Sequence, residues 1–146
     1  MKKPITILIA APREQIFDLL VEPAAQKQWI EGLVEAQYQG TAPKGRGTKF
    51  RHGIREGSRL VVQNGEIRVF TPPIHFAYRI RQEQFDMDID ILLTETDAGT
   101  LVAYRPQLIP RTRFARVLGF LFSALPFPAR VARQHLAKLK VLAETL

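Results

Sequence analysis

The sequence predicts an α+β domain in which a curved antiparallel sheet of about six to seven strands wraps round a long C-terminal helix, with two short helices after the first strand. Three observations carry this expectation. Apolar and polar residues alternate with period two in residues 4–10 and again through most of residues 33–110, as strands with one covered face require. Prolines stand at helix starts in "APREQIFDLLV" and "EPAAQKQWI". After Pro110 a helical period returns and runs to Leu146.

Residues 4–10 form the first strand, with Ile5, Ile7 and Ile9 on one face. Pro12 is preorganised for the first helical position and Glu14 suits the positive end of the helix dipole; Ile16, Leu19 and Leu20 then share a face. Pro23 starts a second helix, so two short helices meet at an angle. From Leu33 the period is two: "LVEAQYQG" puts Val34, Ala36 and Tyr38 together, and "TKFRHGI" puts Phe50, His52 and Ile54 together. "SRLVVQNGEIRVF" reads as one long strand bulged at Asn64-Gly65, since glycine inside a strand often marks a bulge. Pro72-Pro73 cannot donate ladder hydrogen bonds and turns the chain. "HFAYRIR", "FDMDIDILLTET" and "TLVAYRPQLI" supply three more strands. Such a meander needs a cover on one face, and only the C-terminal helix is long enough.

At 146 residues, 46% hydrophobic and 24% charged, the chain is composed for one globular domain. It has no cysteine, which excludes disulfides, thiol nucleophiles and cysteine-built zinc sites. The N-terminal "ITILIAA" reads as a strand rather than a secretion signal, so a cytoplasmic location is expected. Residues 1–100 hold 13 Lys/Arg and 13 Asp/Glu, whereas residues 101–146 hold eight basic residues and one acid, Glu144. The whole net charge of +7 therefore sits in the C-terminal third. That suits an anionic partner or a solvated outer helix face.

The order of several short motifs resembles the START-like (SRPBCC) superfamily, the helix-grip fold of the birch-pollen-allergen type, and within it the polyketide cyclase/dehydrase and lipid-transport group. The motifs are "APREQIFDLL", "EPAAQKQW" with Trp29, "GTKF", "FTPPIHFAYRI" with Tyr78, "GTLVAYR" and "LAKLKVLAE". The resemblance implies a largely apolar cavity between sheet and terminal helix, holding a lipid, a quinone or a polyketide-like molecule and needing no cofactor. Its expected lining comprises Trp29, Tyr38, Phe50, His52 and Tyr78. Met87, Tyr104, Phe120, Leu121 and Leu125 complete it.

Catalytic signals are sparse. "FDMDID" places Asp86, Asp88 and Asp90 on one strand face, in roughly 6–7 Å steps and without the glycine turn of a calcium loop. They read as a solvated, salt-bridged row with Arg79, Arg81 and Arg105 as cross-strand partners, not as a metal site. His52, His75 and His135 are scattered, unlike zinc ligands. His52 shares its face with Phe50 and Ile54, and is either a structural histidine or a general base for a cyclase/dehydratase-like reaction. Ser58 and Ser123 lie in no nucleophile elbow, and no phosphate-binding glycine loop occurs. Nucleic-acid binding is not expected, because Phe114, Phe120, Phe122 and Phe127 sit within an apolar run instead of being interleaved with basic residues. A non-catalytic carrier is thus favoured over an enzyme.

That apolar run, "FARVLGFLFSALPFPAR", has 13 charge-free residues, 117–129. A spanning helix needs about 20. Pro126 and Pro128 are expected to break it into segments 112–124 and 128–145. The second would pack Val131, His135, Leu139 and Leu142 on the sheet. The first would flap over the cavity mouth, with Arg111, Arg113 and Arg116 meeting anionic lipid headgroups.

Overall fold

The computed structural model describes residues 3–121 and 127–146. Strand β1 (Ile5–Ile9) leads into helices α1 (Arg13–Val21) and α2 (Pro23–Trp29). Strands β2 (Leu33–Tyr38), β3 (Lys49–Glu56), β4 (Arg59–Thr71), β5 (His75–Arg81), β6 (Phe85–Thr96) and β7 (Gly99–Pro110) follow. Helices α3 (Arg113–Leu121) and α4 (Phe127–Glu144) close the order. The strands form one open, curved antiparallel sheet in the order β1-β7-β6-β5-β4-β3-β2. This is the helix-grip arrangement: β1 leaves its sequence neighbours and pairs with β7.

Local chemistry explains most boundaries. Pro12 is the N-cap of α1 with extended backbone, one position earlier than expected, whereas Pro23 occupies the first turn of α2. Thr112 caps α3, its hydroxyl accepting from the Ala115 N–H at 3.0 Å. Pro128 lies in the first turn of the described α4, where a missing amide is tolerated. The expected break at Pro126 lies outside the described residues.

Helix α4 packs on α1, α2, β1 and β7. Its fully buried stripe is Ala132, Leu136, Leu139 and Ala143. The expected stripe was rotated by about one residue: Val131, His135 and Leu142 are only half-buried, because the close approach to α2 and β1 selects small alanines. The free edge of β1 is covered by the same helix. Lys140 donates to the Leu8 carbonyl at 2.9 Å, and Glu144 accepts from the Ala10 N–H at 2.8 Å.

The predicted bulge at Asn64-Gly65 is absent. Both residues pair in register with β3 and β5, and the irregularities lie instead between Leu33 and Glu35 and between Ile67 and Val69. The first of these throws Val34 outward, where it is exposed.

Candidate functional site

Register assigns the inner face of the sheet. Phe50, Gly65, Ile80, Met87 and Leu108 are successive cross-strand partners on β3 to β7, so their side chains point to one side. Tyr78 and Ile89 form the next such row, and Phe76, Ile91 and Tyr104 the one after.

Phe50 organises this face. Its ring lies against His52, Tyr78 and Tyr38, with centroids 4.7, 5.6 and 6.1 Å apart. It also covers Gly65: a Cβ there would stand 2.2 Å from Phe50 Cζ. Glycine in the middle of β4 is therefore a seat for an aromatic ring, which is why the ladder runs through it without a bulge. Tyr78 continues the cluster to Phe76 at 5.3 Å, and Phe76 to Phe17 at 6.0 Å.

Two of the expected lining residues serve as braces. Trp29 is fully buried, donates from Nε1 to the Leu19 carbonyl at 2.8 Å, and sets its ring edge-on to His135. The Tyr38 hydroxyl donates to the Val21 carbonyl at 2.8 Å, and burial pushes its pKa up to about 12. Both polar atoms are thereby committed to holding α1 in place. Phe50, His52, Tyr78, Met87 and Tyr104 do share the inner face. Phe120 and Leu121 fall within α3, and Leu125 lies outside the described residues.

Burial is the main influence on the titratable groups of the inner face. It raises the Tyr78 and Tyr104 hydroxyls, which also interact with one another. It pushes the His52 imidazole down to about 4, so His52 is neutral at pH 7. His135 is lowered by burial and then by Lys138, and its Nε2 is buried without a hydrogen-bond partner among the described residues. The unfolded chain takes up these protons near the ordinary value of about 6.5. Stability should therefore be complete above about pH 6.5 and fall as pH drops toward 4, with a slope of up to about 1.4 kcal/mol per pH unit per histidine. Urea unfolding across that window is expected to show the fall, and His52→Phe to make it shallower. An unchanged slope in the variant would assign the effect elsewhere.

The outer face carries the acidic row, with Arg79 a partner as expected and with Arg111 and His75 in place of Arg81 and Arg105. Arg79 grips Asp88 with two hydrogen bonds of 2.6 and 2.9 Å. Asp90 meets His75 at 3.0 Å. Asp86 is buried instead of solvated, with Arg111 at 3.6 Å and Arg79 at 3.9 Å. Arg81 and Arg105 form no ion pair among the described residues, and Arg105 Nε is buried without a partner there. No group of three His, Cys, Asp or Glu side chains suited to a metal ion occurs among the described residues.

Cover over the inner face is uneven. Beneath α4 and α1, Ile9, Val102, Leu93 and Ile91 are fully buried. Toward α3 the same face opens: Ile54, Val61, Phe85 and Met87 are half-buried, and Leu108 is 41% exposed. Gly119 of α3 approaches this end at Phe85. Of these residues only Met87 was expected to line a site. The others carry the same strand parity as His52 or Met87, so alternation places them on the right face but not at an open end.

Helix α3 presents Phe114 and Val117 outward, 64% and 60% exposed, beside exposed Arg113 and Arg116. Arg111 is engaged at the sheet instead: its Nη1 donates to the Gln82 carbonyl at 2.7 Å and its Nε faces Asp86. No described helix is long and apolar enough to cross a membrane.

The family model described as "Activator of Hsp90 ATPase homolog 1-like protein" matches residues 10–123. No curated protein sequence matches. Among solved structures, protein CV1439 of Chromobacterium violaceum is similar, with 19% identity, a TM-score of 0.70, and coverage of 96% of this chain and 95% of that one. A Rhodobacter sphaeroides protein has 18% identity and a TM-score of 0.74, covering 97% and 90%. The di-domain ARO/CYC StfQ from the steffimycin biosynthetic pathway has 13% identity and a TM-score of 0.75 over 97% of this chain and 50% of that one, so this chain spans about half of it. At these identities the likeness is one of fold.

Proposed function

We propose, from the premise that the chain belongs to the activator of Hsp90 ATPase homolog 1-like family of the START-like superfamily, that it binds a small hydrophobic ligand on the inner face of its sheet and exchanges that ligand at a membrane surface. START-like folds bind hydrophobic ligands. What supports the reading for this chain is the uneven cover. A sheet face packed as ordinary core would be buried along its whole length, yet here the apolar row ends half-exposed at Phe85, Met87 and Leu108. Half-exposed apolar surface with a polar group beside it, here Gln63, is the usual chemistry of a small-molecule site; His52 and Tyr78 on the same face are buried.

Helix α3 is the membrane-facing element in this reading. Phe114 and Val117 lie one turn apart with Arg113 and Arg116 beside them, and α3 contains no acid, the pattern of a helix that lies in a lipid interface. Each arginine contributes about 1 kcal/mol near an anionic leaflet, so the pair gives roughly thirtyfold preference over a zwitterionic one. Sedimentation with phosphatidylglycerol vesicles should pull the protein down, phosphatidylcholine should not, and Phe114→Asp/Val117→Asp should abolish the difference. Native mass spectrometry of gently purified protein should show a bound hydrophobic molecule. Failure to carry or take up any such molecule would overturn the reading.

The cyclase/dehydratase alternative rests on His52, and the surroundings favour it less. The ring lies tilted against Phe50, burial makes it a weak base with a pKa of about 4, and a catalytic base works best with a pKa near the operating pH.

A further inference from the structure

We infer that the ligand is an amphiphile with a carboxylate head, and that Arg81, with Arg111 beside it, receives that head in a notch in the sheet. The inference rests on the binding reading above and specifies the class of molecule.

Strand β5 ends at Arg81, opposite Asn64, whereas β4 runs on as Arg59–Gln63 and there pairs only with β3 among the described residues. The overhang of β4 and the turn after β5 leave a gap, and a groove of about 490 Å³ fills it. One wall is Val61, Val62 and Gln63; the other is Arg81, Gln82 and Arg111. Val61 and Gln63 pair with Ile54 and His52 and so carry the parity of the inner face, while Val62 and Arg81 carry that of the outer face. The groove therefore runs along the free backbone edge of β4, with Val61 and Gln63 on its inner-face side and Arg81 on its outer side.

Arg81 is exposed and has no carboxylate in ion-pair range among the described residues. Its cross-strand partner Asp86 is engaged by Arg79 and Arg111 instead. Arg111 is fixed at the groove by its contacts to Gln82 and Asp86, which occupy only part of a guanidinium's five donors. Exposed Glu56 and Glu83 also border the groove. Their repulsion acts on any anion and grows with its charge, so it penalises a dianionic phosphate monoester more than a monoanionic carboxylate. The alternating walls then separate the molecule by polarity: tail against Val61 and the inner face, head on Arg81.

Delipidated protein titrated calorimetrically with dodecanoate and with dodecanol tests this. Dodecanoate is expected to bind at least about tenfold more tightly, the usual scale for a hydrogen bond to a charged group. Arg81→Gln should remove that advantage and leave dodecanol binding unchanged. Equal binding of the two probes would overturn the carboxylate inference while leaving the hydrophobic-ligand reading intact. An advantage that survives Arg81→Gln would overturn the placement of the head. Binding of neither probe would overturn the hydrophobic-ligand reading itself.

Discussion

Gly65→Ala is expected to destabilise the fold by about 3 kcal/mol, the upper part of the range for overpacking a filled site. For a chain of this length that lowers Tm by roughly 10 °C. The added Cβ would lie 2.2, 2.5 and 2.7 Å from three ring atoms of Phe50. The ring cannot step aside cheaply, since Tyr38, His52 and Tyr78 hold it on the remaining sides. The backbone cannot yield either, because Gly65 is paired to Phe50 and to Ile80 in a central strand. The clash is specific to one partner, so a double-mutant cycle reads it directly. Phe50→Leu combined with Gly65→Ala should cost at least about 1 kcal/mol less than the sum of the single changes. Strict additivity in thermal or urea unfolding would show that Gly65 is required for some other reason.

Trp29→Ala is expected to cost about 3–5 kcal/mol, the range for removing a large aromatic from a core. Trp29 is 1% exposed and joins three helices: it belongs to α2, bonds the Leu19 carbonyl of α1, and meets His135 of α4 edge-on. Trp29→Phe separates the contributions, keeping most of the ring while leaving the Leu19 carbonyl without its donor, and should cost about 1–3 kcal/mol. His135 supplies an independent readout. Its pKa is held down chiefly by burial, so opening the space beside it should raise the value toward that of a free histidine. A His135 titration, followed by NMR, that does not move in Trp29→Ala would mean that the indole is not what shields it.

Both residues show where a sequence can be read and where it cannot. Trp29 was expected to touch ligand because it stands in a motif; its role as a brace depends on the Leu19 carbonyl, which only the angle between α1 and α2 brings within reach. Gly65 was expected to bulge because glycine in a strand usually does; the ring that needs the space comes from β3, across the ladder. In α4 the sequence allows two stripes about one residue apart, and alanines at 132 and 143 are ambiguous until α2 and β1 close on them. The Asp86 row lies on the expected face and Arg79 is the expected partner, but Arg111 takes the place of Arg81 and Arg105, since it reaches the row only after the chain has turned at the end of β7.

The residues by themselves determined the class of fold, the near-complete order of elements, and which side chains share a face. Those properties follow from backbone periods of 2 and 3.6 acting over a few neighbouring positions. Tertiary structure alone decided which end of the inner face is covered, which tyrosine and tryptophan are braces, and where β4 outruns β5 to leave Arg81 beside an open groove. Cover and strand ends are set by partners tens of residues away, whose packing no local period encodes.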